Sequence, residues 1–236
     1  MTVTLMHSSP GVEALDNPAA DPALVTRMMR DLACANRWMG GRAAVRFGLA
    51  QLLNPADRGR RLTLFDVGTG AGDLPLDAAR WAARRGVTLV PLALERIVPA
   101  ARIAHRAGVP VIVGCAGALP VRAQSVDLVL VSQVAHHLDA KSITALFATC
   151  SRIARRGVLI CDLRPSTFFA HGFRAAGRLL GFDPTTLDDG VTSLARGFTP
   201  DQLRELGVRA HGEESPRIHV AARPLSRIVA WWRTDA

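Results

Sequence analysis

The stretch Leu64-Phe-Asp-Val-Gly-Thr-Gly-Ala-Gly-Asp-Leu-Pro75 constrains this chain most, because a buried strand, a tight turn and a helix must succeed one another within it. Arg61–Val67 is a short apolar run containing β-branched and aromatic residues, and the alanine-rich segment Asp77–Arg85 has helical spacing. Between them Gly68, Gly70 and Gly72 stand at every second position. Glycines so placed let the backbone take positive φ and come close to a ligand, while the helix that follows presents its N-terminal amides. Two familiar cradles are excluded by spacing. A G-x-G-x-x-G dinucleotide fingerprint would need its third glycine at Asp73 or at Pro75, and no Gly-Lys-Ser/Thr follows for a phosphate loop.

Downstream the pattern alternates. Val87–Leu94 reads as a second strand ending in Glu95, although Pro91 is awkward inside it, and a helix is expected over Pro99–Arg106. Pro110–Gly114 is a third strand, Ser125–Ser132 a fourth, and Gly157–Asp162 a fifth, with a crossover helix over Lys141–Arg152. Such alternation predicts an α/β doubly wound, mostly parallel sheet whose ligands gather at the carboxyl ends of the strands. Asp66, Glu95, Cys115, Ser132 and Asp162 all fall at such ends. Glu95 there can accept hydrogen bonds from ribose hydroxyls, or it can cap the helix that follows.

The flanks are read more coarsely. Residues 1 to about 20 are expected to be a loose lead-in, because Pro10-Gly11 and Asn17-Pro18 break regular structure. Asp21-Pro22 starts a helix that stops near Trp38–Gly41, and a second helix covers Ala43–Leu53. These divide the chain into a lead-in and helical cap (1–59) and a core (60–236), with a helical insertion over the sheet edge at 165–198. Thr199-Pro-Asp-Gln202 is a capping box, and Val208–Ser215 and Ile218–Trp232 read as two final strands.

Composition narrows the functional classes. The formal charge is +9, but Lys141 is the only lysine and the arginines are dispersed rather than interleaved with aromatics, which argues against a nucleic-acid partner. Cys34, Cys115, Cys150 and Cys161 show no zinc spacing and are expected to be buried free thiols, so no metal is called for. No run is long and apolar enough to span a membrane and the first residues lack a leader pattern, so a cytoplasmic protein is expected.

The order Asp66-x-Gly68-x-Gly70-x-Gly72 resembles motif I of class I S-adenosylmethionine (SAM) dependent methyltransferases. Gly114-Cys-Ala-Gly-Ala-Leu-Pro120 and Ser125–Ser132 resemble that family's adenine segment and fourth strand. The resemblance implies a Rossmann-like, seven-stranded sheet closing on an antiparallel hairpin, SAM as cofactor and S-adenosylhomocysteine as product. It implies that Asp66, Gly68, Thr69, Gly70 and Gly72 wrap the methionine and ribose portions, that Glu95 meets the ribose, and that Cys115, Ala116 and Ser132 border the adenosyl site. Cys115 departs from the pattern, since the family's aspartate there meets the adenine amino group. Arg37 is a candidate for the methionine carboxylate. His136, His137 and Asp162 resemble the catalytic groups of natural-product O-methyltransferases, with His137 the better match for the base. Asn36, Trp38, Arg164 and His171 are acceptor-site candidates. The implied reaction is methyl transfer to a hydroxyl or carboxyl oxygen of a small-molecule metabolite by a monomer or homodimer. A nucleic-acid methyltransferase is the first alternative, against which Ser132-Gln-Val-Ala135 stands where an Asp/Asn-Pro-Pro-aromatic signature would be. A SAM-binding protein without turnover is the second.

Overall fold

A computed structural model describes residues 13–17 and 19–234, so most of the expected lead-in lies outside the described residues. Helices α1 (Pro22–Trp38) and α2 (Gly41–Leu52) precede strand β1 (Arg61–Val67). There follow α3 (Asp73–Ala83), β2 (Thr88–Glu95), α4 (Val98–Arg106), β3 (Val111–Val113), β4 (Val126–Ser132), α5 (Ala140–Ile153) and β5 (Ala154–Leu163). The chain ends with α6 (Thr167–Leu179), α7 (Pro184–Ala195), α8 (Pro200–His211), β6 (His219–Arg223) and β7 (Arg227–Arg233). One seven-stranded sheet results, in the order β3-β2-β1-β4-β5-β7-β6. β1 to β5 pair in parallel, and β7 runs antiparallel to both neighbours.

The middle stretches of the central parallel strands are apolar because both faces are covered. Leu62, Leu64, Leu128, Leu130 and Leu159 face one layer, built on α2 and α3. The alternate residues Phe65, Val67, Val129, Val131, Val158 and Ile160 face the other, built on α5 and α8. Gly48 lets α2 settle onto the sheet, since a Cβ there would collide with Leu159. Val45, Leu49 and Leu52 on α2 are thereby buried against β5 and β7. Pro91 is tolerated because β3 pairs only with Ala93–Glu95, leaving β2 without an outer neighbour at the proline.

The expected strand at Val208–Ser215 is absent. α8 runs to His211 from its Thr199–Gln202 capping box, and both hairpin strands come from the segment after it. The turn between them takes positive φ at Leu225 (60°) and Ser226 (54°), which no glycine announces.

Candidate functional site

Gly68, Gly70 and Gly72 all adopt positive φ (75°, 56° and 76°), so the alternating glycines fold as one continuous cradle. Gly68 and Thr69 donate their N–H groups to the Leu94 carbonyl at 2.8 and 3.2 Å, tying the turn to the end of β2. A Cβ on Gly68 would lie 2.5 Å from Val134 Cγ2. Glu95 braces the same turn: Oε2 accepts from Gly70 N at 2.8 Å and Oε1 from Ile97 N at 2.9 Å. Each oxygen retains a lone pair for a further donor.

Asp66 at the end of β1 is enclosed, and neither its Oδ1 nor Thr69 Oγ1 has a hydrogen-bond partner among the described residues. Burial, with Asp73 and Glu95 adding negative charge, pushes the Asp66 carboxyl from the usual 3.8 up to about 7. A buried acid with one oxygen unsatisfied beside a glycine cradle fits a ligand that carries a cation and hydrogen-bond donors. These are properties of the methionine end of SAM.

β4 ends at Ser132, Gln133 takes φ 57°, and a one-turn 3₁₀ helix, Ala135–His137, follows. Gln133 is held in this left-handed conformation by Asn36, which accepts from its amide, and by Arg227, which donates to its carbonyl. On neighbouring β5, Asp162 Oδ2 accepts from Ala135 N at 3.1 Å. Its Oδ1 lies 2.6 Å from His136 Nδ1 and accepts from Leu163 N at 2.7 Å. His136 is thereby locked, with a buried Nε2 that has no partner among the described residues. Burial opposes charge on His136, but the adjacent Asp162 carboxylate and then Glu13 outweigh it and raise the imidazole pKa. Asp162 is likewise buried, yet His136 beside it holds its carboxyl below the usual range. His137 behaves oppositely: burial, then the charge of His136, lowers it to about 4. Both histidines are candidates for the base from the sequence, with His137 the better match; Asp162 meets His136.

The cavity between the glycine turn and these histidines is closed by elements that the sequence reading left loose. A 3₁₀ turn at Ala14–Asp16, placed in the expected lead-in, lies across it. Glu13 is buried, accepts from Ser193 Oγ at 2.9 and 3.0 Å, and pairs with Arg196 at 3.0 Å. Burial raises Glu13 to about 6. Ala14 N donates to Asp189 at 2.9 Å, and Arg96 donates to the Leu15 carbonyl at 2.8 Å. Asp16 Oδ1 lies 3.1 Å from His137 Nδ1. α1 supplies an apolar wall of Met28, Met29 and Leu32, and α7 supplies Thr186, Asp189, Gly190 and Ser193.

Gly68, Thr69, Gly70, Glu95, Cys115, Ala116, Ser132, Asn36, His136 and His137 line this cavity together. Asp66, Gly72 and Asp162 stand directly behind them in the chain's turns and strand ends. Cys115 is exposed at the rim, contrary to the expected buried thiol. Four further expected residues do not line the cavity: Arg37 and Trp38 are exposed at the end of α1 with the guanidinium over the indole, and Arg164 and His171 are exposed. The insertion contributes through α7, whereas the expectation rested on residues before and within α6. Glu13, Asp16, Gln133, Asp189 and Ser193 were missed; only the Ser132-Gln133 strand end carried any local signal.

Residues 64–157 match the family model described as a methyltransferase domain. These residues, 94 of the 236, are similar to a methyltransferase domain. Solved structures share the fold. TnmH aligns with a TM-score of 0.62 at 22% identity, over 95% of this chain and 62% of its own. The plantazolicin methyltransferase BamL, solved with a triazolic desmethylPZN analog and S-adenosylhomocysteine, aligns at 0.60 and 10% identity, over 91% and 98%. Magnesium protoporphyrin IX methyltransferase from Synechocystis, solved with S-adenosylhomocysteine, aligns at 0.53 and 14%, over 82% and 83%. The chain spans 62% of TnmH and 60% of a provisionally assigned O-methyltransferase from Nostoc punctiforme. No curated protein sequence matches the chain significantly. No helix among the described residues is long and apolar enough to cross a membrane.

Proposed function

We propose that this methyltransferase domain serves transfer of a methyl group from SAM to a hydroxyl or carboxyl oxygen of a small-molecule metabolite, in specialised metabolism. The observation that carries the reading is the 2.6 Å His136–Asp162 pair, whose free Nε2 belongs to the same cavity as the glycine cradle. Bound SAM supplies an electrophilic methyl group for in-line displacement by the acceptor. Asp66 and Thr69 hold the cationic methionine end, Glu95 takes the ribose hydroxyls, and Cys115 and Ala116 border the base. His136 Nε2 receives the proton of a hydroxyl acceptor while Asp162 fixes the tautomer and stabilises the imidazolium. The N-terminal turn and α7 exclude water from the acceptor. A small acceptor is supported by the small-molecule ligands named for BamL and for the protoporphyrin enzyme.

The reading is tested by incubating the protein with SAM and a panel of phenols, sugars and carboxylic acids, and following the mass gain of one methyl group. His136→Ala should lower kcat by about 10²–10⁴ with SAM affinity intact. Unchanged turnover in that variant would remove His136 from the reaction.

A further inference from the structure

Removal of one proton needs one histidine, yet the cavity wall holds two, and their outer nitrogens converge on a carboxylate. Glu13, His136 and His137 each offer a ligand atom, and these atoms lie within 4.8 Å of one another. Both rings have Nδ1 engaged by an acid: His136 by Asp162 at 2.6 Å and His137 by Asp16 at 3.1 Å. With Nδ1 so engaged, both Nε2 atoms are the ones left to face Glu13. His136 Nε2 is buried without a partner among the described residues, and His137 Nε2 lies 3.8 Å from Glu13 Oε2. Glu13 is itself fixed by Ser193, with Arg196 on Oε1.

Metal-binding histidines are oriented in this way, the second ring nitrogen donating to a carboxylate or carbonyl that sets tautomer and direction. Two imidazoles and one carboxylate at an open cavity form a donor set for a divalent transition metal, whereas magnesium and calcium prefer oxygen throughout. We propose that Glu13, His136 and His137 bind a divalent transition-metal ion, with Asp162 and Asp16 as positioning residues and the remaining coordination positions open to the cavity. Ligand atoms around a tetrahedral zinc stand about 3.3 Å apart, given bonds of roughly 2.0–2.1 Å. His137, with a quarter of its side chain exposed, has the freedom to close that gap. His136 Nε2 has one lone pair, so an ion held there excludes its action as base. That consequence, inhibition by metal, rests on the methyl-transfer reading; the site itself does not.

The test is titration of the chelator-treated full chain with Co²⁺ in the absence of SAM, followed by visible absorption. One equivalent should bind with ligand-field bands that Zn²⁺ abolishes. Glu13→Gln and His137→Ala should each weaken binding at least about tenfold, and Asp16→Asn should weaken it about 10–100-fold, with circular dichroism unchanged. No saturable binding, or equal binding by the folded variants, would overturn the site while leaving methyl transfer untouched. Zn²⁺-loaded protein that methylated as fast as stripped protein would overturn the exclusion.

Discussion

Asp66 sits at the end of β1 with its carboxylate fully enclosed and one oxygen unsatisfied, so its ionisation is paid for by the fold. Its folded pKa of about 7 stands above the usual 3.8, so the charge costs stability increasingly as pH rises through that interval. At neutral pH the penalty is about 2–4 kcal/mol. Asp66→Asn should therefore raise the thermal midpoint of the free protein at pH 8, by about 4–16 °C, while weakening SAM binding. In the unaltered protein SAM affinity should rise about tenfold between pH 6 and pH 8, as the carboxylate forms. Calorimetry across that range checks both statements, and an equally steep profile in the variant would assign the titration elsewhere. The position of Asp66 beside the glycine turn was legible because the acid and the alternating glycines are contiguous in sequence. The division of labour between His136 and His137 was not. Adjacent residues differ in sequence position by one step, but a 3₁₀ turn sends their rings to different acids, and only the turn's register decides which meets Asp162.

The elements were legible wherever local chemistry sets them. α1 begins at the Asp21-Pro22 cap, α8 begins at its capping box, and the apolar strands fall close to their expected bounds. What failed depended on partners distant in sequence. The seat of α2 on the sheet depends on the fit of Gly48 against Leu159, which lies more than a hundred residues away. The aromatic cluster of the insertion is split, with Phe173 buried and Phe168 88% exposed, so α6 scaffolds while α7 faces the cavity. The N-terminal turn reads as a loose segment because its order comes from Arg96, Asp189, Ser193 and Arg196. It lines the cavity and is anchored just after β2 and on α7, which we propose makes it a strap over bound SAM. A chain lacking residues 1–17 should retain its far-ultraviolet circular dichroism and release SAM at least about tenfold faster. Stopped-flow displacement by S-adenosylhomocysteine measures this, and an unchanged rate would deny the strap its role.

For the whole molecule, the strand order places β1 and β4 side by side at the centre, with β2 and β5 flanking them. The acids, glycines and histidines, scattered over about a hundred residues of chain, therefore gather at one edge of the sheet. This convergence was readable because parallel crossovers leave every strand pointing the same way, so residues that end strands must meet. The acceptor was not readable, since its cavity is walled by α1, α7 and the N-terminal turn, whose side chains follow no shared pattern. The central claim is that this edge is a SAM site, and isothermal titration calorimetry with SAM and S-adenosylhomocysteine, with NADH as control, tests it most directly. Micromolar binding of the two adenosyl compounds and none of NADH is expected. Binding of NADH alone, or no binding of either adenosyl compound, would contradict it.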